Sequence, residues 1–283
     1  MMIRLKNIII PGSNNMAITL DLFYKKVSTA LPVVIYAHGF NGFKDWGNFD
    51  LIADQFAAAG FLLLKFNFSH NGTTPDQPCA FTDLEAFANN NYSRQLTDLA
   101  IITDWICNAS NIYRDIMSAD QIYLMGHSMG GGVSILHAAH DNRIKKLITW
   151  ASITECKTPW GTWPQDKLDG WKRSGVQYYT NSRTKQELPM YYQLYEDYTN
   201  NRDKLNIQEA AENLFIPVLI CHGSADTGVP VQKAYDLKSW FPLAQLFIVE
   251  SDHVFGRSHL WTENNLPGPM QAVVDKSISF LKD

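Results

Sequence analysis

The sequence predicts an α/β protein: a mostly parallel, eight-stranded sheet with helices on both faces and one helical insertion. Three observations predict it. Short, continuous apolar runs at 32–37 and 61–68 alternate with amphipathic stretches at 48–59 and 92–107, the pattern of strands covered on both faces by crossover helices. One strand-to-helix junction, Tyr123-Leu124-Met125-Gly126-His127-Ser128-Met129-Gly130-Gly131-Gly132, places a single serine among four glycines. A third stretch, 154–213, breaks the alternation and is dense in tryptophan and tyrosine.

Composition narrows the class. The 283 residues are 46% hydrophobic and 18% charged, with a formal net charge of −4, so the chain is rich enough in apolar side chains to bury a large core. No basic run exceeds a pair such as Lys145-Lys146, which argues against nucleic acid or an anionic membrane as partner. The four cysteines, Cys79, Cys107, Cys156 and Cys221, have no C-x-x-C spacing, so neither a zinc site nor a disulfide framework is expected. The isoleucine run near the N-terminus is too short for a signal segment. A soluble, cytoplasmic protein without metal or cofactor is the expectation.

Taken in order, 3–10 and 16–24 read as strands separated by the turn cluster Pro11-Gly12-Ser13-Asn14-Asn15, and the alternation of Ile18, Leu20, Leu22 and Tyr24 suits a half-buried antiparallel strand. Strand 32–37 runs into His38-Gly39-Phe40-Asn41-Gly42, helix 48–59 stops at Gly60, and 61–68 is another buried strand. Residues 69–91 read as a loop with one helical turn around 83–87, followed by the helix 92–107. The serine junction joins a strand at 121–125 to a helix at 129–139. Further strands are predicted at 146–151, 216–221 and 245–249, with helices at 231–240 and 269–281, the last opened by Pro269. Residues 1–152 and 214–283 therefore form the core, and 153–213 is predicted to be a cap or lid, since long excursions between sheet strands are commonly functional.

Gly126-His127-Ser128-Met129-Gly130 fits G-x-S-x-G. A serine on a sharp strand-to-helix turn brings neighbouring backbone too close for side chains, and the helix behind it aims free N–H groups at charge forming near the hydroxyl. A serine is a weak nucleophile until a base takes its proton and a third group holds the base. Asp226 follows the apolar run Val218-Leu219-Ile220-Cys221, and His253 follows Leu246-Phe247-Ile248-Val249. Both candidates fall just beyond the carboxyl ends of strands, on the sheet edge that carries Ser128, where open α/β sheets bind their ligands.

From end to end the chain resembles an α/β-hydrolase. The resemblance implies Ser128 as nucleophile, Asp226 as acid and His253 as base, and it implies an oxyanion hole made by the backbone N–H groups of Phe40, in the H-G-x loop, and Met129. Gly-x-x-Asp-x-x-Val-Pro around Asp226 and Asp-His-x-Phe around His253 are similar to the dienelactone-hydrolase, small-esterase and monoacylglycerol-lipase-like branches. The stretch Asn67-Phe68-Ser69-His70-Asn71-Gly72 departs from the Asp-x-Arg-Gly-x-Gly-like sequence of many lid-bearing members, and Ser128 disfavours the cysteine and aspartate nucleophiles of dienelactone hydrolases and haloalkane dehalogenases.

Competitors are present. His259 is a second candidate base, Asp252 and Glu250 adjoin His253, and His127 and His38 are read as structural. Ser69, His70 and Asn71, with Asp45 and Trp46, either line the pocket mouth or form solvated loops. The expected reaction is hydrolysis of a small carboxylic ester, with Trp160 and Trp163 of the insertion expected to contact substrate. An aminopeptidase and a thioesterase are the alternatives within the class, and a non-catalytic ligand-binding protein is the alternative outside it.

Overall fold

The computed structural model describes residues 1–283. The chain opens with β1 (Met2–Pro11) and β2 (Ala17–Lys25), then β3 (Leu31–Ala37), α1 (Phe49–Ala58) and β4 (Leu62–Asn67). Two helices follow, α2 (Leu84–Ala88) and α3 (Tyr92–Cys107), before β5 (Met117–His127), α4 (Met129–His140) and β6 (Ile144–Trp150). The inserted segment holds α5 (Gln165–Ser174), β7 (Val176–Thr180), β8 (Glu187–Tyr191), α6 (Gln193–Asn200) and α7 (Ile207–Glu212). The chain closes with β9 (Val218–Gly223), α8 (Gln232–Trp240), β10 (Ala244–Val249) and α9 (Gly268–Lys282). None of these helices is long and apolar enough to cross a membrane.

Eight strands form one sheet in the order β1-β2-β4-β3-β5-β6-β9-β10. β2 runs antiparallel to both its neighbours, and every other pairing is parallel. Strands predicted from continuous apolar runs are buried on both sides: Val33, Ile35 and Ala37 of β3 enter one core with Leu99 of α3 and Val133 of α4, while Val34 and Tyr36 enter the other with Phe56 of α1 and Val273 of α9. The first core extends into the insertion through Trp160, Trp171, Leu188 and Leu194.

β3 is followed in sequence by β4 on one side and is flanked on the other by β5. The strand order therefore reverses between β3 and β5, and the loops leaving their carboxyl ends splay apart to leave a crevice. His38-Gly39-Phe40 and Ser128 sit on those two loops.

Two differences from the sequence reading have physical causes. β5 begins at Met117, ahead of the predicted 121, because Ser118, Ala119 and Asp120 carry no apolar signal although Leu31 pairs with Met117. The insertion is helical but also contains the antiparallel β7–β8 ribbon, which the sequence reading did not anticipate. Leu188 and Met190 are buried and the rest of the ribbon is partly or fully exposed. Trp171 anchors it, donating from Nε1 to the Met190 carbonyl at 2.8 Å.

Candidate active site

Ser128 occupies the turn between β5 and α4 with φ 56° and ψ −120°, a backbone conformation costly for a residue with a side chain. Its surroundings hold it there. The Ser128 N–H donates to Trp150 O at 2.9 Å, and its own carbonyl accepts from the amides of Gly131, Gly132 and Ile153. The flanking glycines are steric requirements: a Cβ on Gly126 would lie 2.3 Å from Gly130 O, and one on Gly130 would lie 2.4 Å from both Ala37 O and His38 O. Removal of those side chains lets the end of β3 close on the start of α4. Gly39 then abuts the serine, since a Cβ there would lie 3.0 Å from Ser128 Cβ.

Asp226 and His253, from the loops after β9 and β10, come together at 2.7 Å between Asp226 Oδ2 and His253 Nδ1. The carboxylate is fixed from below by the amides of Gly228 and Val229, each donating to Oδ1 at 2.8 Å. His222 Nε2 lies 3.2 Å from Asp226 Oδ2 and 2.8 Å from Val229 O. Burial alone pushes the Asp226 carboxyl pKa up, but the hydrogen bonds from His222, His253 and the backbone outweigh it and hold the group well below the usual carboxylate range. His253 and Ser128 line the same two clefts, with no hydrogen bond between them.

Phe40, one residue past Gly39, is half-buried and faces both clefts. Met129 is the first residue of α4, so its N–H has no partner within the helix. His38 braces the loop by donating from Nδ1 to Gly39 O at 2.9 Å, and burial lowers its pKa to about 4. His127 is also buried, and its Nε2 lies 2.9 Å from His253 O. Both match the structural reading of these histidines. Of the competitors, Asp252 is occupied by the amides of Val254 and Gly256, and His259 Nδ1 receives the Gly47 amide at 3.2 Å beside the Trp46 ring. Of the other flanking residues, Trp46 borders the smaller cleft. Ser69 is buried, with its hydroxyl on Asp98.

The two clefts meet at Ser128 and are separated by Phe40 and Tyr179, whose rings stand edge to face at 5.1 Å. The larger, about 540 Å³, is bordered by Ile153, Pro159, Val229 and the charged trio Glu155, Lys157 and Lys233. Glu155 pairs with Lys157 and lies 3.8 Å from Lys233. The smaller, about 290 Å³, is bordered by Trp46, Asn181, Arg183 and Arg257. Trp160 and Trp163 do not line either cleft, which corrects the expected substrate contacts. Trp160 is buried against Tyr195 and Tyr198, and Trp163 packs on Trp171 and under Lys167. Large rings gain most by burial in the insertion's own interior, so Gly161 and Thr162 between them border the larger cleft instead.

Sequence reasoning missed Tyr179, His222 and Arg257. His222 carried a usable signal, an ionisable residue inside an apolar strand four positions before the candidate acid. Tyr179 lies in the insertion, and Arg257 lies between the predicted strand 245–249 and helix 269–281, where no regular element is predicted.

Carboxylates of Asp21, Asp45 and Asp50 lie within 4.8 Å of one another. Lysines supply their counter-charges: buried Lys44 Nζ is 2.7 Å from Asp21 and 2.6 Å from Asp45, buried Lys65 Nζ contacts Asp45, lies 2.5 Å from Asp50 and 3.2 Å from Asp21, and exposed Lys6 Nζ lies 2.5 Å from Asp50.

With this geometry in view, comparison with known proteins decides the family. Residues 32–182, more than half of the chain, match the family model described as the alpha/beta hydrolase fold. The chain belongs to the α/β-hydrolase fold family. Among solved structures, this α/β-hydrolase is similar to Est1E from Butyrivibrio proteoclasticus, determined with ferulic acid bound, at a TM-score of 0.69 and 16% identity over 96% of this chain and 97% of that one. It is also similar to the esterase domain of a Rhodothermus marinus protein, with a TM-score of 0.59 and 15% identity over 91% and 92% of the two chains. At such identities these likenesses are of fold. The quorum-quenching protein AidA of Acinetobacter baumannii (strain MDR-ZJ06) is 26% identical over 147 residues, 50% of this α/β-hydrolase and 42% of AidA. The match thus spans about two fifths of that curated relative.

Proposed function

We propose that the protein is a serine hydrolase that cleaves small carboxylic esters through an acyl-enzyme on Ser128. The observation that carries the reading is the 2.7 Å contact of His253 Nδ1 with Asp226, on the crevice that holds Ser128 in its strained turn. With Nδ1–H given to the carboxylate, Nε2 is left as the base. Ser128 Oγ attacks the ester carbonyl and its proton passes to His253 Nε2, while Asp226 holds the imidazolium. The N–H groups of Phe40 and Met129 receive the oxyanion. Collapse expels the alcohol, which takes the proton back from His253. Water, deprotonated by the same nitrogen, then attacks the acyl-enzyme and releases the acid.

Residues 153–213 act as a cap over the core formed by 1–152 and 214–283. In support, Thr158 and Gly161 border one cleft, Asn181 the other, and Tyr179 both. Two modest clefts on either side of Ser128 suit the acyl and alcohol halves of a small ester. An aminopeptidase would need a free carboxylate for the substrate amine, yet Glu155, the acid bordering the clefts, is paired with Lys157 and near Lys233.

Purified protein assayed on esters, thioesters and aminoacyl amides tests the proposal. Short-chain or aromatic esters are expected to exceed long-chain esters and aminoacyl amides in kcat/KM by at least roughly tenfold, about 1.4 kcal/mol of transition-state discrimination. Faster cleavage of aminoacyl amides than of any ester replaces the esterase with a peptidase.

A further inference from the structure

The smaller cleft beside Ser128 is bordered by two arginines, Arg183 and Arg257, and by no aspartate or glutamate. Arg257 is only 4% exposed. Its Nε donates to Val254 O at 3.3 Å, its Nη1 is buried with no acceptor, and no carboxylate approaches within ion-pair distance. Asp252, the nearby acid, is spent on backbone amides of its own loop. A buried guanidinium ordinarily has a carboxylate partner, because an uncompensated charge in a low-dielectric site is costly. The fully buried Lys44 and Lys65, by contrast, both contact carboxylates. What Arg257 has instead is the Tyr36 hydroxyl beside it and the faces of Trp46 and Phe49, at 5.4 and 5.8 Å, a partial compensation that leaves Nη1 without an acceptor.

The larger cleft offers a contrast. Each of its lysines has a carboxylate within ion-pair distance, Lys157 and Lys233 at Glu155 and Lys233 also 4.0 Å from Asp236, so its cations are paired within the protein. In the smaller cleft the missing partner must come from outside, next to the reacting serine. Arg183, exposed and on the inserted segment, adds a second cation at its border.

We propose that the smaller cleft is an anion subsite, and that the substrate is an ester bearing a carboxylate which Arg257, assisted by Arg183, holds beside Ser128. The proposal rests on the esterase reading of Ser128. It adds that one half of the ester ends in a carboxylate and occupies about 290 Å³. A planar guanidinium matches a carboxylate in a two-point hydrogen bond, and the dry, ring-lined surroundings strengthen that contact while disfavouring a methyl group in the same place.

Two matched pairs of esters test this on the full-length protein: mono-(4-nitrophenyl) glutarate against 4-nitrophenyl valerate, with the anion on the acyl side, and 4-acetoxybenzoate against phenyl acetate, with the anion on the alcohol side. At least one anionic member is expected to exceed its neutral partner in kcat/KM by roughly tenfold or more. Arg257→Gln should collapse that ratio by about tenfold, and Arg183→Gln, at an exposed position, by about threefold. If Arg257→Gln fails to fold, the wild-type ratio and the Arg183→Gln variant decide. Neutral esters cleaved as well as both anionic ones would overturn the subsite and leave the esterase intact. Should no ester be turned over, the esterase reading falls, and calorimetry of monomethyl glutarate with Ser128→Ala still judges the subsite. Binding weakened about tenfold by added Arg257→Gln, or threefold by added Arg183→Gln where that double variant does not fold, supports it. Absent or unaltered binding overturns it.

Discussion

His127 Nε2 donates to the backbone carbonyl of His253 across 2.9 Å, tying the residue before the candidate nucleophile to the loop that carries the candidate base. Burial, with the neighbouring His253, keeps the His127 pKa well below its ordinary value, so the ring stays neutral and its one N–H is committed to this bond. His127→Phe removes the donor while keeping a ring of similar size. We expect kcat to fall by about ten- to a hundredfold, with KM changed much less, because displacement of the base by a fraction of an ångström misaligns proton transfer. Unchanged kcat in a folded His127→Phe protein would show that the loop is held by other contacts.

Asp226→Asn tests the second half of the relay. Asparagine can still accept from the Gly228 and Val229 amides, so the loop should persist and the protein should fold. Its NH₂ group would face His253 Nδ1 and force the proton onto Nε2, the tautomer that cannot act as base. A fall in kcat of about 10⁴ is expected, with little change in KM. A variant with wild-type kcat would move the acid to another residue.

These candidate positions were legible because each is announced by local chemistry. Ser128 lies among glycines required by close backbone approach, and Asp226 and His253 each follow an apolar run that marks a parallel strand, fully buried before Asp226 and partly buried at the sheet edge before His253. The β7–β8 ribbon was not legible. Val176–Thr180 is β-prone, but Pro189 interrupts its partner, and the pairing depends on Trp171 reaching Met190 from α5. Trp160 and Trp163 were misjudged for the same reason, since whether an aromatic faces a cleft or an interior is set by how the insertion folds back. Arg257, within Gly256-Arg257-Ser258-His259, has the look of solvent-exposed loop until the rings of Trp46 and Phe49 enclose it.

The buried ionic cluster makes a prediction about stability. Burial pushes the Asp45 and Asp50 carboxyls up, but Lys65, with Lys44 at Asp45 and Lys6 at Asp50, outweighs it and holds both below their ordinary range. Depressed carboxylate pKa values contribute stability that is present above the unfolded value of about 3.9 and lost as pH falls through the folded values. Lys65→Met leaves three clustered carboxylates to two lysines, Lys44 and Lys6, and should cost about 3–5 kcal/mol at pH 7. The deficit should shrink as the pH is lowered toward 3, where protonation neutralises the orphaned acids. Urea unfolding of both proteins at pH 7 and pH 4 measures this, and a deficit independent of pH would contradict the ionic account.

The central claim is that Ser128 is a nucleophile activated in place. Intact-mass and peptide mass spectrometry after exposure to a fluorophosphonate tests it most directly, because the reagent needs both an activated hydroxyl and an oxyanion site. The account predicts one adduct per chain, located on Ser128, with labelling abolished in Ser128→Ala and slowed by orders of magnitude in Asp226→Asn. A folded wild-type protein that takes up no label, or one labelled equally well after Ser128→Ala, would contradict it.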